Sequence, residues 1–226
     1  MDGIAKPVVV LFDVDETLVH TGGSGARSWT AAFQKLYGIA ADIGAHSSAG
    51  ETDPQVARET FTGVLGRDPT DEELDRLYVR YLLSLADDIL VSEQYRMLPG
   101  VEECLTALGD AGVVLGLVSG AMEGAARTKL IPANLNRFFI FGAYGSDSAD
   151  RAELTGIAIG KAVRLHAGLT PGQVFVVGDT PRDIEAARQE GAVSVGVATG
   201  HYSVGELSDA GADHVLGSLT EPFPGV

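Results

Sequence analysis

The sequence has few of the features that define secreted or membrane-spanning chains. It contains one cysteine in 226 residues, Cys104, so no disulfide forms within the chain, which fits a reducing compartment. The apolar run PVVVLF near the amino terminus is far shorter than the roughly 20 residues that cross a bilayer. No charged segment followed by a longer apolar region indicates a signal peptide. We therefore expect a soluble cytoplasmic protein that has no contact with a membrane.

Basic residues are also scarce. Lys and Arg number 16 against 31 Asp and Glu, which gives a formal net charge of −15. This balance disfavours a nucleic acid as partner, because phosphate backbones attract basic surfaces. An anionic substrate would need locally placed positive charge or a metal ion. Hydrophobic residues make up 45% of the chain, enough for the core of an ordered globular protein.

Short apolar runs alternate with amphipathic segments along most of the chain. Continuous apolar runs of this length are typical of strands buried on both faces. They predict strands at 8–12, 113–119, 138–144, 174–178, 194–199 and, more weakly, 214–217. Helical patterns separate these runs. The alternation predicts an α/β fold, with a Rossmann-like, mostly parallel sheet and helices on both of its faces.

One region interrupts this alternation. Residues 24–95 contain three amphipathic segments and no strand-like run. They predict an all-helical domain at 21–97, inserted into an α/β core formed by 1–20 and 98–226. The flanking sequences TGGSG and LPG are rich in glycine and proline, so we expect hinges there on which the insert moves as a lid; ordinary surface loops are the alternative.

The first predicted strand ends in two carboxylates. Asp13 and Asp15 follow VVVLF and, two residues apart, face the same side of the chain. Such close carboxylates repel each other unless a cation joins them or one is protonated. Mg²⁺, which prefers oxygen ligands, is the natural cation. A solvated turn is the alternative. An EF-hand loop is excluded, because its required Gly and Glu positions hold Leu18 and Ser24.

A second acidic cluster follows the predicted strand at 174–178. Asp179 ends that strand, Thr180 suits a helix N-cap, and Asp183 falls in the first helical turn. An acid in a first turn also stabilises its helix, so Asp183 alone indicates little. Asp179 has no such explanation. If the two strands are neighbours, we expect Asp13, Asp15 and Asp179 to converge on one metal ion, with Asp183 as a direct or indirect ligand.

An anion site is expected after the strand at 113–119. Ser119 and Gly120 end it and open a helix, where backbone N–H groups and a hydroxyl face outward. A cation should complete the site, and two candidates follow the third strand. Arg151 is preferred, because it lies near a helix start. Lys161 is the alternative, about ten residues further along.

These four clusters, in this order, resemble those of the haloacid dehalogenase-like hydrolases. The stretch DVDET, from Asp13 to Thr17, matches the first motif of that family, D-x-D-x-T. Ser119-Gly120 matches the second motif, and GDTPRD at 178–183 matches the fourth. The helical insert resembles the cap domain of the family, and the carboxyl-terminal region is similar to phosphoglycolate phosphatase-like members. Glu16 stands where many relatives have glycine.

The resemblance implies a mechanism. Asp13 would attack phosphorus and form an aspartyl phosphate, while Asp15 would protonate the leaving oxygen and then activate water. Thr17 would orient the loop, and Ser119 and Arg151 (or Lys161) would hold the phosphoryl oxygens. Mg²⁺ would be the cofactor. We therefore predict a phosphatase that acts on a small phosphorylated metabolite.

Four alternatives stay open. A phosphomutase shares every core residue, a dehalogenase needs no metal, and a phospho-receiver or a degenerate binding relative would not turn over. The retained acids disfavour the dehalogenase, and the large insert disfavours the receiver. Substrate specificity would come from insert residues that face the core, and the sequence offers His20, Arg27, Trp29 and Arg58 without deciding among them. It does not define the oligomeric state.

Overall fold

A six-stranded parallel sheet forms the centre of the molecule. The computed structural model describes residues 6–46, 48 and 50–226. The strands of the main sheet are β1 (Val9–Phe12), β4 (Val114–Ser119), β5 (Phe141–Tyr144), β6 (Val174–Gly178), β7 (Val193–Val197) and β8 (His214–Leu216). The helices of the core are α4 (Val101–Asp110), α5 (Glu123–Lys129), α6 (Arg151–Leu165), α7 (Pro181–Gln189) and α8 (Val204–Asp209). The predicted Rossmann-like α/β fold is confirmed.

The strand order places β1 at the centre of the sheet, where the order of the strands reverses direction. The order is β5-β4-β1-β6-β7-β8, and every neighbouring pair is parallel. In register, Phe12 lies opposite Leu117 of β4 and Val177 of β6. The chain therefore leaves β1 toward one side of the sheet and later returns to the other. Ligands of open α/β sheets bind at such a switch point, outside the carboxyl ends of the strands.

Residue alternation along β1 explains why both faces of the sheet are covered. Val9 and Leu11 pack into one apolar cluster with Leu154 and Ala158 of α6. The odd and even positions of a strand face opposite sides, and Val10 and Phe12 accordingly belong to a second, larger cluster. A strand that is buried on both sides must be apolar throughout, as VVLF is.

The helical insert lies between the two strands of a small antiparallel pair. Its helices are α1 (Ser24–Tyr37), α2 (Asp53–Leu65) and α3 (Asp71–Asp88), and the pair consists of β2 (Val19–His20) and β3 (Arg96–Met97). Trp29 stacks on Tyr81 with ring centroids 4.0 Å apart, which joins α1 to α3. The apolar core of the insert is continuous with the larger cluster of the sheet. The domain boundaries at 20/21 and 97/98 coincide with the ends of β2 and β3, and the division into two domains stays a prediction.

Two sequence expectations about strands were wrong in detail. The run predicted as a strand at 138–144 begins as a 3-10 turn (Leu135–Phe138), and β5 starts only at Phe141. The reason is that Phe139 turns into the core while Ile140 is largely exposed, so the apolar run does not lie in the sheet. The short strands β2 and β3 were also missed, because two residues carry no detectable alternation.

Within the described part of the chain, no helix combines the length and apolar character needed to cross a bilayer.

Candidate active site at the carboxyl edge of the sheet

Asp13 occupies the first position after β1. Its backbone N–H donates to the carbonyl oxygen of Val177 at 2.9 Å, so the ladder between β1 and β6 fixes where its side chain begins. The residue is 8% exposed. Burial raises the pKa of Asp13 to about 6, because a charged carboxylate loses hydration there, and the nearby Arg151 partly opposes the rise. The Asp13 carboxylate is therefore poorly solvated and lies against the guanidinium of Arg151.

Asp179 follows β6 and faces the same edge. Burial raises its pKa to about 8, and the neighbouring carboxylates of Asp183 and Asp13 add to the rise. The hydroxyl of Thr17, which is fully buried, donates to Asp179 Oδ1 at 3.5 Å, the outer limit of a hydrogen bond. A Cβ at Gly200 would lie 1.8 Å from Asp179 Oδ2, so only glycine fits beside this carboxylate. The site therefore concentrates acids that repel each other without a cation.

Both carboxylate oxygens of Asp183 accept hydrogen bonds from the protein. Its Oδ2 accepts from the backbone N–H of Thr180 at 3.1 Å and from the Thr180 hydroxyl at 2.7 Å, as expected for the start of α7. Its Oδ1 accepts from Nε of Arg151 at 3.0 Å and also from Nη2 of that residue. With its lone pairs engaged in this way, Asp183 orients the arginine.

Arg151 and Lys161 occupy different places on the same helix. Arg151 is the first residue of α6; its side chain is 10% exposed, with Nη2 3.0 Å from Asp13 Oδ1. Burial would lower its pKa, but Asp183 and Asp13 hold that pKa above the ordinary value. Lys161 lies more than two turns further along and donates to the carbonyl oxygen of Gly142 at 2.7 Å. Only the arginine lies at the carboxyl edge of β1, and the phosphate-binding role of each residue stays a prediction.

Ser119 and Gly120 form the edge of the site at the end of β4. Both border the same cavity as Asp13, and the Ser119 hydroxyl accepts from the backbone N–H of Ala121 at 3.3 Å. The insert packs directly on this loop: Asp53 N–H donates to the Gly120 carbonyl at 2.8 Å, and Asp53 Oδ2 accepts from Met122 N–H at 2.8 Å. The start of α2 therefore covers the expected anion site.

Asp15 is paired with a lysine that the sequence analysis did not select. Lys129 Nζ lies 2.6 Å from Asp15 Oδ2, and the lysine side chain is 7% exposed against 41% for the aspartate. Burial would lower the pKa of Lys129, but the nearby Asp15, Tyr81 and Asp53 hold it above its ordinary value. The lysine thus fixes Asp15 from the core side and leaves it partly exposed toward the cavity.

The acidic cluster fits a hard divalent cation. One carboxylate oxygen from each of Asp13, Asp179 and Asp183 lies within 4.8 Å of the other two, and all three residues are buried. Burial, together with repulsion among these neighbouring carboxylates, raises the pKa values of Asp13 and Asp179, and a divalent cation would offset both effects. Asp15 is not part of this cluster, because its side chain turns to Lys129. The predicted set of four metal ligands therefore stays a prediction, supported by geometry most directly for Asp13 and Asp179.

A cavity of about 230 Å³ opens onto these groups. Pockets for drug-sized ligands typically measure about 300–1,000 Å³, so this cavity suits a small molecule. The core contributes the strand-end groups and His201, and the insert contributes Gly50 and Glu51. A substrate bound here would be enclosed between the two.

Three functional candidates escaped sequence reasoning. Lys129 carried a detectable signal, since it lies on the buried face of α5 with Ala125 and Ala126, where a lysine is exceptional. Asp53 carried none, because an acid in the first turn of a helix is ordinary. Glu51 reaches the cavity only through the placement of the insert.

The four residues that the sequence offered as substrate contacts lie away from the cavity. Trp29 is buried in the insert core, Arg27 pairs with Asp88 at 2.6 Å, and Arg58 is exposed. His20 contacts Glu16, with 2.7 Å between Nδ1 and Oε1. None of the four borders the cavity as Glu51 and His201 do. Glu16 itself has a φ of 56°, a left-handed conformation that explains why glycine suits this position.

Comparisons with known proteins agree with this site. The family model for haloacid dehalogenase-like hydrolases matches residues 8–191. The phosphoglycolate phosphatase of Salmonella typhi is 31% identical over 154 residues, which cover 66% of this chain and 60% of that enzyme. The phosphoglycolate phosphatase of Salmonella typhimurium is 28% identical over 247 residues, covering 99% of this chain and 94% of its own length.

Solved structures show the same fold. The crystal structure of a predicted phosphoglycolate phosphatase from Haemophilus somnus 129PT superimposes with a TM-score of 0.74 at 20% identity and covers 96% of each chain. The structure of CbbY from Rhodobacter sphaeroides in complex with phosphate has a TM-score of 0.71 at 18% identity, covering 95% and 96%.

A sheet switch point with strand-end aspartates and a helical insert thus defines a hydrolase of the haloacid dehalogenase-like class. The chain belongs to this family. Within it, the chain resembles the phosphoglycolate phosphatases, which are phosphoric monoester hydrolases.

Proposed function

We propose that this protein is a Mg²⁺-dependent phosphatase that hydrolyses a small phosphate monoester through an aspartyl phosphate on Asp13. The observation that carries the proposal is the contact between Asp13 and Arg151, 3.0 Å apart, beside two further buried carboxylates. A nucleophilic carboxylate, a cation for the phosphoryl group and oxygen ligands for a metal ion are thereby brought to one strand edge.

The first half-reaction would use two residues of the DVDET motif. An oxygen of Asp13 forms a bond to phosphorus while the bond from phosphorus to the ester oxygen breaks. Asp15, held by Lys129 at 2.6 Å, must enter this step in its protonated form; it gives that proton to the departing oxygen, and the alcohol leaves. Arg151 and the backbone at Ser119 and Gly120 stabilise the charge on the phosphoryl oxygens.

The second half-reaction returns the residues to their starting state. Asp15 takes a proton from water, the water oxygen bonds to phosphorus, and the bond to Asp13 breaks, releasing phosphate. Asp13 and Asp179 would hold Mg²⁺, which supplies positive charge that reduces the repulsion between carboxylate and phosphate. Asp183 keeps Arg151 in place, and Thr17 supports Asp179.

Enclosure by the insert would serve this chemistry. The contacts of Asp53 with Gly120 and Met122, both 2.8 Å, hold α2 over the phosphate-binding loop. Exclusion of bulk water strengthens every electrostatic interaction inside the cavity. Release of product requires these contacts to open, which is the lid motion expected from the glycine-rich flanks. We also propose that the protein acts in the cytoplasm.

The test is a phosphate-release assay of the purified chain against a panel of small phosphate esters, with Mg²⁺ and with a chelator. Release that depends on Mg²⁺ and disappears in Asp13→Asn supports the proposal, provided that the variant keeps the melting temperature of the wild type. A phosphomutase would instead isomerise a phosphate ester with little net release. Turnover of halogenated acids without metal, or no turnover of any ester, would contradict the proposal.

A further inference from the structure

Glu51 is an unusual residue for a cavity that would bind phosphate. It lies just before α2 and borders the cavity together with Asp13 and Asp15. Its side chain is 9% exposed. Oε1 lies 3.2 Å from Nη2 of Arg182, while Oε2 is buried and has no hydrogen-bond partner among the described residues. A buried carboxylate oxygen without a partner is costly, unless a ligand supplies the missing donor.

The backbone around Glu51 is held in place by the core. A Cβ at Gly120 would lie 2.8 Å from the Glu51 carbonyl oxygen, so the two loops are in direct contact. Gly50 has a φ of 80°, and its Cβ position lies 3.1 Å from both Thr180 and Arg182 at the start of α7. The backbone that carries Glu51 is therefore held between the β4–α5 loop and the start of α7.

The other acids that border the cavity have partners within the protein. Asp15 is paired with Lys129 at 2.6 Å and Glu16 with His20 at 2.7 Å. Asp13 lies 3.0 Å from Arg151. Asp179 accepts from the Thr17 hydroxyl at 3.5 Å. Glu51 differs from these acids, because its second oxygen, Oε2, has no hydrogen-bond partner among the described residues.

Positive charge is correspondingly scarce in the lining of this cavity. Among the described residues that border the cavity, Arg151 is the one arginine or lysine, and the mechanism uses it for the phosphoryl group. His201 also borders the cavity and is exposed to solvent. A carboxylate on a leaving group beside Glu51 would meet like charge, because the neighbouring Arg182 lies outside this lining and is already paired with Glu51 Oε1 at 3.2 Å. A hydroxyl or ammonium group would instead satisfy Glu51 Oε2.

We propose that Glu51 sets substrate specificity by accepting a hydrogen bond from a hydroxyl or ammonium group of the leaving alcohol and by excluding leaving groups with a carboxylate. The inference rests on the proposed phosphatase function. It separates this chain from what its likeness to phosphoglycolate phosphatases suggests, because phosphoglycolate has a carboxylate on its leaving group. The substrate class is a small polyol phosphate or amino-alcohol phosphate.

The experiment compares kcat/KM for four esters at one fixed pH. Glycerol phosphate and ethanolamine phosphate have donors, phosphoglycolate has a carboxylate, and 4-nitrophenyl phosphate serves as a reference without either. We expect the wild type to favour the better donor substrate over phosphoglycolate at least tenfold. The two donor substrates distinguish a hydroxyl from an ammonium ligand.

The decisive variant is Glu51→Gln, which keeps the shape of the side chain and removes its charge. We expect the preference for the donor substrate over phosphoglycolate to shrink at least fivefold, chiefly because KM for phosphoglycolate falls. Glu185→Gln is the matched control, since Glu185 also pairs with an arginine but lies exposed on α7, away from the cavity. Its substrate ratio should equal that of the wild type.

A further variant separates the acid from its neighbour. Arg182→Gln removes the partner of Oε1 and keeps Glu51, so the wild-type preference should persist. If that variant loses the preference as Glu51→Gln does, the arginine sets specificity and the inference is wrong. A wild type that favours phosphoglycolate, or a ratio that Glu51→Gln does not change, also overturns it. Absence of hydrolysis with all four esters would contradict the proposed function itself.

Discussion

Removal of the Arg151 side chain is the most informative perturbation of the phosphate site. Its Nη2 lies 3.0 Å from Asp13 Oδ1, and its Nε donates to Asp183 at 3.0 Å. A hydrogen bond to a charged group contributes about 1.5–3 kcal/mol. At about 1.36 kcal/mol per tenfold change in rate, the loss corresponds to a decrease of about 10- to 150-fold in kcat/KM. We expect Arg151→Ala to fall in that range.

Lys161→Ala provides the control on the same helix. It removes the same charge, but Lys161 contacts the Gly142 carbonyl and the partly exposed Asp147, away from Asp13. We expect its kcat/KM to stay within about threefold of the wild type, since solvent-exposed pairs contribute about 0–1 kcal/mol. Arg151→Lys should lie between the two, because an ammonium group keeps the charge and loses the fork that holds Asp13 and Asp183 together.

Stability must be measured beside the rates. Arg151→Ala leaves Asp13 and Asp183 buried without their cation, and removal of one partner of a buried pair costs about 3–5 kcal/mol. Kinetics should therefore be measured well below the melting temperature of each variant, with circular dichroism as the check. A larger loss of kcat/KM in Lys161→Ala than in Arg151→Ala would refute the assignment of the phosphate-binding cation.

Three other perturbations test separate parts of the site. Asp179→Asn should raise the Mg²⁺ concentration for half-maximal activity more than tenfold. Because burial raises the pKa of Asp179 to about 8, the folded state holds a proton that the unfolded chain loses near pH 4. The melting temperature without metal should therefore fall from pH 5 to pH 8 and recover with Mg²⁺; a flat profile would contradict this. Lys129→Met should lower kcat about tenfold with little change in KM, because Asp15 loses the contact that positions it. Lys129→Arg should restore part of the lost kcat. If the two variants lose kcat equally, Lys129 does not position Asp15. Glu16→Gly should raise the melting temperature by about 2–4 °C, since relief of left-handed strain is worth about 1 kcal/mol; an unchanged value would mean that Glu16 is unstrained.

The parts of the site that the sequence predicts are those fixed by the parallel sheet. Asp13, Ser119 and Asp179 each follow an apolar run, and the carboxyl ends of parallel strands share one edge. Neighbouring strands therefore bring these residues together without any knowledge of loops. The helix start at Thr180 was predictable for a different reason. Its N-cap, proline and acid are signals that lie next to one another in the sequence.

Other parts depend on packing between elements that are distant in the sequence. Lys129 and Asp15 are 114 residues apart, and their contact depends on how α5 lies against the first strand. The sequence favours Arg151 over Lys161 from its place near a helix start, but the contact of Arg151 with Asp13 depends on how α6 lies relative to β1. Glu51 borders the cavity only because the insert folds over the β4–α5 loop. No periodicity or composition encodes these placements.

The insert illustrates the same limit. Its helices were predictable from amphipathic patterns, whereas its contacts with the core were not. Asp53 looks like an ordinary helix-start acid, yet its N–H and carboxylate both bind the phosphate-site loop. Burial raises the pKa of Asp53 to about 6, which marks it as part of the interface between insert and core.

The central claim is that Asp13 carries the phosphoryl group between substrate and water. The most direct measurement is mass spectrometry of the enzyme, mixed rapidly with Mg²⁺ and substrate, quenched in acid and digested. We predict a phosphoryl group on the peptide that contains Asp13, at the position of Asp13 itself, and none in Asp13→Asn. Turnover without any phosphorylated peptide, or with the phosphoryl group on another residue, would contradict the account.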